Sequence, residues 1–304
     1  MNSVPKFDIG SLSNYLPISS ISSITYTDNA DTDNASVDSL SITTSTLHSV
    51  PPPKFTFNFK FGYNASLTNA GTFVVDKISF QYPPQKYIIN AKPIDYVNNN
   101  KEKRTLSYQY LSLTSMVAKR LNCDYKFITT EKYSYLNVEQ TNESDLSFLA
   151  RLCKEQSLYC FIKNNTIIVS SKPIDITFNI TEKQIISMNA SISLKNQYKG
   201  VKTKYYSMKL AKYKEVEVGT SPFFIINNNY PTKELALTAA KNKLSLLNRN
   251  VLNGSLKTIG NPIIFSGVKI TIASPVTPHK YFVKSIKHRL SQTEFTSTLE
   301  FSAI

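Results

Sequence analysis

A chain of 304 residues is long enough for two domains, or three small ones, and for sizeable hydrophobic cores. Apolar residues are 41% and charged residues 18%, a composition that excludes a disordered chain. The net charge of +14 is unevenly spread: residues 1–55 hold Lys6 and Lys54 against Asp8, Asp28, Asp31, Asp33 and Asp38, so the rest is strongly basic. Such a surface suits nucleic acid, an anionic membrane, an acidic protein partner, or plain solvation. Three cysteines, Cys123, Cys153 and Cys160, are too few and too odd in number for a disulfide framework. MNSVPKFDIG lacks the basic start and apolar run of a signal peptide, and no stretch is apolar for the length of a membrane span. The expectation is a protein made in a cytoplasm, without membrane insertion.

Residues 17–50 are rich in Ser, Thr, Asn and Asp; they read as loop, apart from one strand around Val37, Leu40 and Ile42. KFTFNFKFGY alternates strictly, with Phe55, Phe57, Phe59 and Phe61 on one face, and predicts a strand with one buried side. NASLTNAG reads as a long hairpin tip. GTFVVDKISFQYPP is the second strand, stopped by Pro83 and Pro84, and KYIINA is a third. LSLTSMVAKRLN predicts a short helix with Leu113, Met116, Val117 and Leu121 on one stripe. TNESDLSFLARLCKEQSLYCF holds a second helix, followed by strands at NNTIIVSS and IDITFNI. VKTKYYSM alternates, and PTKELALTAAKNKLSLLNRN is a helix with Thr232 as N-cap. SGVKITIAS and a hairpin across SQTE complete the chain.

An internal echo runs through this order. An alternating strand at 54–63 precedes FVVDKI at 73–78, and another at 267–273 precedes YFVKSI at 281–286. The expected architecture is mainly β with an α+β insert: two tube-like β-barrel domains, 1–94 and 173–304, flanking a small α/β domain, 95–172.

The chemistry-bearing residues read as structural. On the second helix, Leu146, Phe148, Leu149, Ala150, Leu152 and Cys153 form a broad buried face opposite Ser147, Arg151, Lys154 and Glu155. Glu143 and Asp145 point apart on the wheel, so they do not form an acid–base pair; they read as first-turn capping acids behind an Asn142 N-cap, with Asp145 at N3. Cys153 and Cys160 lack CxxC spacing, and His48, His279 and His288 are scattered, so no metal site is expected. His288, in phase with Ile286, reads as a partly buried strand residue. GxSxG, HExxH and Gly-rich phosphate loops are missing from the sequence. No catalytic, cofactor-binding or metal residues are assigned, and no cofactor is expected. The Phe ladder reads as core rather than as a base-stacking platform.

In order, the motifs GTFVVDKISFQYPP, KRTLSYQYLSLTSMVAKRLN, NESDLSFLARLCKEQSLYCFI, ELALTAAKNKL and GNPIIFSGVKITI with YFVKSIKHRLS and FTSTLEF resemble the phage late control protein D family, the hub proteins of contractile tails and related injection systems. Two departures stand out: Ser157–Leu158 and His279–Lys280 occupy turns where the family has glycine. The chain ends after its last strand, so no spike or lysozyme module is expected. The resemblance implies a structural, non-enzymatic protein of a virion or phage-tail-like particle, assembled in the bacterial cytoplasm. It implies a homotrimer that joins a sixfold tail tube protein to a threefold central spike protein, near the tape measure and other baseplate proteins. Nucleic acid would be met only in passage through the lumen. The alternatives are a single-stranded nucleic-acid-binding β-barrel protein and, with less support, a cell-wall hydrolase.

Overall fold

The computed structural model describes residues 4–30, 38–64, 66–93, 102–120, 124–128, 134–163, 166–193, 198–249, 251–273 and 280–304. Val37, Leu121, Cys123 and His279 lie outside them. The fold is mainly β with a small α/β insert.

Its main element is a twelve-stranded sheet. The first part comprises β1 (Pro5–Asp8), β2 (Ile21–Asn29), β3 (Ser39–Thr44), β4 (Thr56–Tyr63), β5 (Ser66–Gln81) and β6 (Lys86–Pro93). The insert holds β7 (Lys103–Ser112), α1 (Leu113–Arg120), β8 (Asp124–Ile128), β9 (Ser134–Ser144), α2 (Asp145–Glu155), β10 (Tyr159–Lys163) and β11 (Thr166–Ser170). The last part comprises β12 (Thr177–Ile180), β13 (Ile185–Ile192), β14 (Gly200–Ser207), β15 (Lys212–Gly219), β16 (Phe223–Tyr230), α3 (Lys233–Arg249), β17 (Leu252–Ile259), β18 (Lys269–Ile272), β19 (Lys280–Leu290) and β20 (Phe295–Ala303). The main sheet runs β1-β4-β5-β6-β3-β2-β19-β20-β17-β13, with β18 also on β19 and β12 on β18.

The echo between FVVDKI and YFVKSI is a duplication of five strands in matching register. Phe57 faces Phe73 across β4 and β5 as Ile270 faces Tyr281 across β18 and β19. Asp76 is the bulged residue of β5 against β6, and Lys284, its counterpart in the echo, is the bulged residue of β19 against β20. Ile42 faces Ile89 across β3 and β6 as Leu256 faces Leu299 across β17 and β20. Both units open with a 3-10 turn, Ile18–Ser20 or Glu182–Gln184, leading into a strand bulged at its second residue, Ser22 in β2 or Ile186 in β13. The units share one sheet, because β2 pairs antiparallel with β19.

Among the described residues, three larger apolar cores follow the chain, beside a small cluster of Ala30, Tyr159 and Phe282. Phe57, Phe59 and Phe61 are buried with Tyr26, Ile42, Phe73 and Ile89 in the first, as the alternation predicts. Leu113, Met116 and Val117 of α1 pack with Phe148, Leu149, Leu152 and Cys153 of α2 in the second. Ile270, Tyr281, Ile286, Leu299 and Phe301 fill the third.

Two stretches read as loop are strands. ISSITYTDN forms β2, at the centre of the sheet. Its bulge at Ser22 breaks the two-residue period between Ile21 and Ile24, which hides the strand from a periodicity reading. SLTNAG belongs to β5, which begins at Ser66; a register shift between Phe59 and Lys60 leaves Ala70 unpaired and again masks the alternation. Residues 198–249 add a layer not foreseen from sequence, a three-stranded sheet β15-β14-β16 with α3 packed on it. This layer reaches the insert through Arg249, whose Nη2 donates to the Ser157 carbonyl at 2.8 Å and whose guanidinium lies 4.2 Å from the Tyr159 ring.

Candidate functional site: an assembly surface

Of the described titratable residues raised by the sequence, Asp145, Cys153, Cys160 and His288 are buried, whereas His48 is exposed. The N-cap of α2 is Ser144, whose Oγ accepts from the Ser147 N–H at 3.2 Å; it is not Asn142. Asn142 sits at φ 49°, in the left-handed region that asparagine tolerates, on a strand that continues to Ser144. Asp145 begins the helix and is buried, where its Oδ1 accepts from Gln140 Nε2 at 2.8 Å and Arg104 lies 3.6 Å from its Oδ2. Glu143 is the penultimate residue of β9 and pairs with Arg151 at 2.7 Å, and Arg151 also reaches Glu155 at 3.0 Å. The two acids therefore serve separate cations: Asp145 stands in the first turn of α2 as expected, whereas Glu143 lies on β9, outside the helix on which the wheel placed it.

Cys153 and Cys160 are buried free thiols, and the neighbouring Cys160 together with burial pushes the Cys153 thiol up. A raised thiol is a poor nucleophile. Among the described residues, no group of three His, Cys, Asp or Glu side chains could hold a metal ion. His288 is fully buried rather than partly so. Its Nδ1 is 2.9 Å from Ser297 Oγ, and its ring is stacked 6.0 Å from Tyr26 and lies 4.8 Å from Phe61. Burial pulls its pKa down to about 3, so it is neutral and structural. The burial of Phe57, Phe59 and Phe61 leaves no face of this ladder on which a base could stack.

Charge on the basic segment is partly spent inside the chain. Lys202 pairs with Glu217 at 2.6 Å and Lys204 with Glu215 at 3.5 Å, each across β14 and β15. Beyond these pairs, the hairpin end carries Lys209, Lys212 and Lys214 beside exposed Met208, Leu210 and Tyr213.

The most unusual surface is the edge of the main sheet. At one end lies β1, four residues bearing Pro5, Lys6 and Asp8, a short edge blunted in the usual way. At the other end lies β13, IISMNASI, eight residues without a charge or a proline, with Ile186 and Ile192 exposed. A third open edge follows within β5. Its first half pairs with β4 through Val74, while residues 77–81 pair with β6 on the other side and, among the described residues, with nothing on the β4 side.

These features decide the comparison with known folds. No protein-family model matches the sequence, and no curated protein matches it. Solved structures do match along nearly the whole chain. The 43 kDa tail protein of prophage MuSo2 from Shewanella oneidensis superposes with a TM-score of 0.71 at 12% identity, covering 99% of this chain and 98% of that one. The chain has the fold of a phage tail protein. A tail protein from Neisseria meningitidis gives a TM-score of 0.68 at 8% identity over 99% of this chain and 97% of that one. A component of the E. coli type VI secretion system, itself structurally similar to T4 bacteriophage tail proteins, gives 0.63 at 12% identity over 98% of this chain and 77% of that one.

Proposed function

We propose that the protein is the structural baseplate hub of a contractile phage tail or phage-tail-like particle, without enzymatic activity. In this reading it is a homotrimer that adapts a sixfold tail tube to a threefold central spike. The observation that carries the proposal is the duplication: two five-strand units in matching register lie side by side on one sheet. A ring of three such chains presents six near-equivalent units to a tube while its own symmetry stays threefold. The tail proteins and the type VI component that share the fold support the setting.

The domain division follows from the same reading: residues 1–94 and 173–304 as the two tube-like barrels and 95–172 as the insert between them. The partners are the tail tube protein, the central spike protein, the tape measure and other baseplate proteins. The location is the baseplate of a particle assembled in the bacterial cytoplasm. Quantitative mass spectrometry of purified particles tests this: the chain should be present at three copies for every six subunits of a tube ring. Six copies, or absence from the particle, overturns the proposal.

A further inference from the structure

Half of the chain's net charge sits on one of its layers. Residues 198–249 hold ten Lys or Arg against three Glu, which is +7 of the +14. Part of that charge is neutralised within the layer. On the solvent face of the β14–β15 hairpin, Lys202 pairs with Glu217 and Lys204 with Glu215, on successive rungs. The opposite face carries Val201, Thr203 and Val216, which are buried. The next rung of the solvent face differs: Tyr206 stands opposite Tyr213, the rings edge to face at 5.3 Å. Beyond it the chain turns through Met208–Leu210 and Ala211.

This end of the hairpin outruns its sheet. β16 follows β14 only as far as Tyr205, which faces Tyr230, and β15 is the other edge. From Tyr206 to Tyr213, among the described residues, the strands pair only with each other. The side chains change character at the same point. Met208 is 85% exposed, Tyr213 56% and Leu210 51%. Residues 205–214, YYSMKLAKYK, contain no acid. Lys209, Lys212 and Lys214 are exposed, and the residues opposite Lys212 and Lys214 are Ser207 and Tyr205. The hairpin is thus zoned along its length: neutralised charge, then an aromatic rung, then an apolar tip in a collar of lysines that no cross-strand acid matches.

A tip zoned in this way fits a surface that is anionic outside and apolar just beneath. Lysines lie against anionic headgroups, tyrosines favour the boundary between water and hydrocarbon, and Met and Leu are covered by acyl chains. A nucleic acid offers the charge but no apolar layer behind it. An acidic protein would need a socket shaped to a projecting tip, whereas a bilayer needs none.

We propose that the tip of the β14–β15 hairpin, Tyr206–Tyr213, docks the protein on an anionic lipid bilayer. Met208 and Leu210 enter the boundary between headgroups and acyl chains, and Lys209, Lys212 and Lys214 meet the headgroup phosphates. The contact reaches one leaflet: from the tyrosine rung to the turn is roughly 10 Å of strand, against a hydrocarbon core about 30 Å thick. This goes beyond the hub reading and does not rest on it.

The full chain contains no tryptophan, so Met208→Trp places a lone fluorescent reporter on the tip. With vesicles of equal parts phosphatidylglycerol and phosphatidylcholine, its emission should shift to the blue; phosphatidylcholine vesicles should leave it unchanged. In flotation, the wild-type chain should bind the anionic vesicles at least about tenfold more than the zwitterionic ones, given three lysines in the surface potential. Lys209→Gln, Lys212→Gln and Lys214→Gln together should remove that preference, as should raised salt. Met208→Ser with Leu210→Ser keeps every charge and should lower binding by about tenfold. Lys6→Gln, Lys54→Gln and Lys60→Gln, at exposed positions of the first unit, remove the same charge elsewhere and should change binding little. All the substituted side chains are exposed, so melting temperatures should stay at the wild-type value. Equal binding to both vesicles, no blue shift, or equal loss from either lysine triplet overturns the proposal. So does binding indifferent to Met208→Ser with Leu210→Ser, which would mean adsorption by charge alone. A single-stranded oligonucleotide that displaces the vesicles, and binds the serine variant as well as wild type, would assign the tip to nucleic acid instead.

Discussion

The carboxylate of Asp28 grips Ser266 twice: Oδ2 accepts the Ser266 N–H at 2.9 Å and Oδ1 accepts its hydroxyl at 2.8 Å. The residues are 238 positions apart and both buried. Asp28 lies in β2 opposite Ile286 of β19, so the clamp stands on the join between the two units.

Asp28→Ala should therefore weaken the join. It leaves a buried N–H and hydroxyl without that acceptor, a loss of about 2–3 kcal/mol. Ser266→Ala removes one bond and keeps the backbone donor satisfied, so about 1 kcal/mol is expected. Urea denaturation of the two variants measures both. Equal, negligible losses would mean the clamp is incidental to the join.

Asp38 makes stability depend on pH near neutrality. Burial raises its carboxyl to about 7, offset in part by hydrogen bonds from the Asn29 N–H and the Tyr26 hydroxyl. The folded state thus holds a proton that the unfolded state releases near pH 4, and stability falls as pH rises from about 4 to about 7. Asp38→Asn should raise the melting temperature relative to wild type at pH 8 and lose that advantage at pH 5.

His288 acts in the opposite direction. Its pKa is about 3 in the fold against 6.5 for an ordinary histidine, chiefly because it is buried. The unfolded state gains a proton that the fold refuses, so stability is lost as pH falls below about 6.5 toward 3. His288→Phe keeps a ring beside Tyr26 and Phe61, and Ser297 Oγ still accepts from the Asn261 N–H at 3.1 Å. The variant should flatten the acid limb of a plot of melting temperature against pH. An unchanged acid limb would assign it to another group.

The start of α2 separates a cap from a backbone requirement. Ser144→Ala should cost about 0.5–2 kcal/mol, the usual loss of an N-cap. Asn142→Gly should be tolerated because φ is 49° there, whereas Asn142→Val should be destabilising. Thermal melts of the three variants rank them. If Asn142→Gly proved the most damaging, the side chain rather than the conformation would be what matters.

Native thiol labelling should be slow at Cys153 and Cys160, since both are buried, and complete after denaturation. Rapid native labelling of Cys153 would contradict the packing of α2.

Local pattern determined much of this protein. The Phe ladder in β4, the apolar face of α2, the Thr232 cap of α3, whose Oγ1 accepts from the Leu235 N–H at 3.3 Å, and the tight SQTE hairpin each depend on neighbours within a few residues. Their periods of two or 3.6 are written directly in the sequence. The echo of FVVDKI and YFVKSI was legible too, because both segments meet the same pleated, half-buried surroundings. Tertiary structure alone decided the rest. β2 was hidden because a bulge costs the strand its alternation, although the strand sits at the middle of the sheet. The layer of β14, β15, β16 and α3 could not be read either, since an exposed alternating strand looks the same whichever sheet it joins. Asp28, Asp38 and His288 look like ordinary polar residues until chain segments far apart in sequence bury them. Burial and long-range pairing are properties of the assembled sheet, and no local window of the sequence contains them.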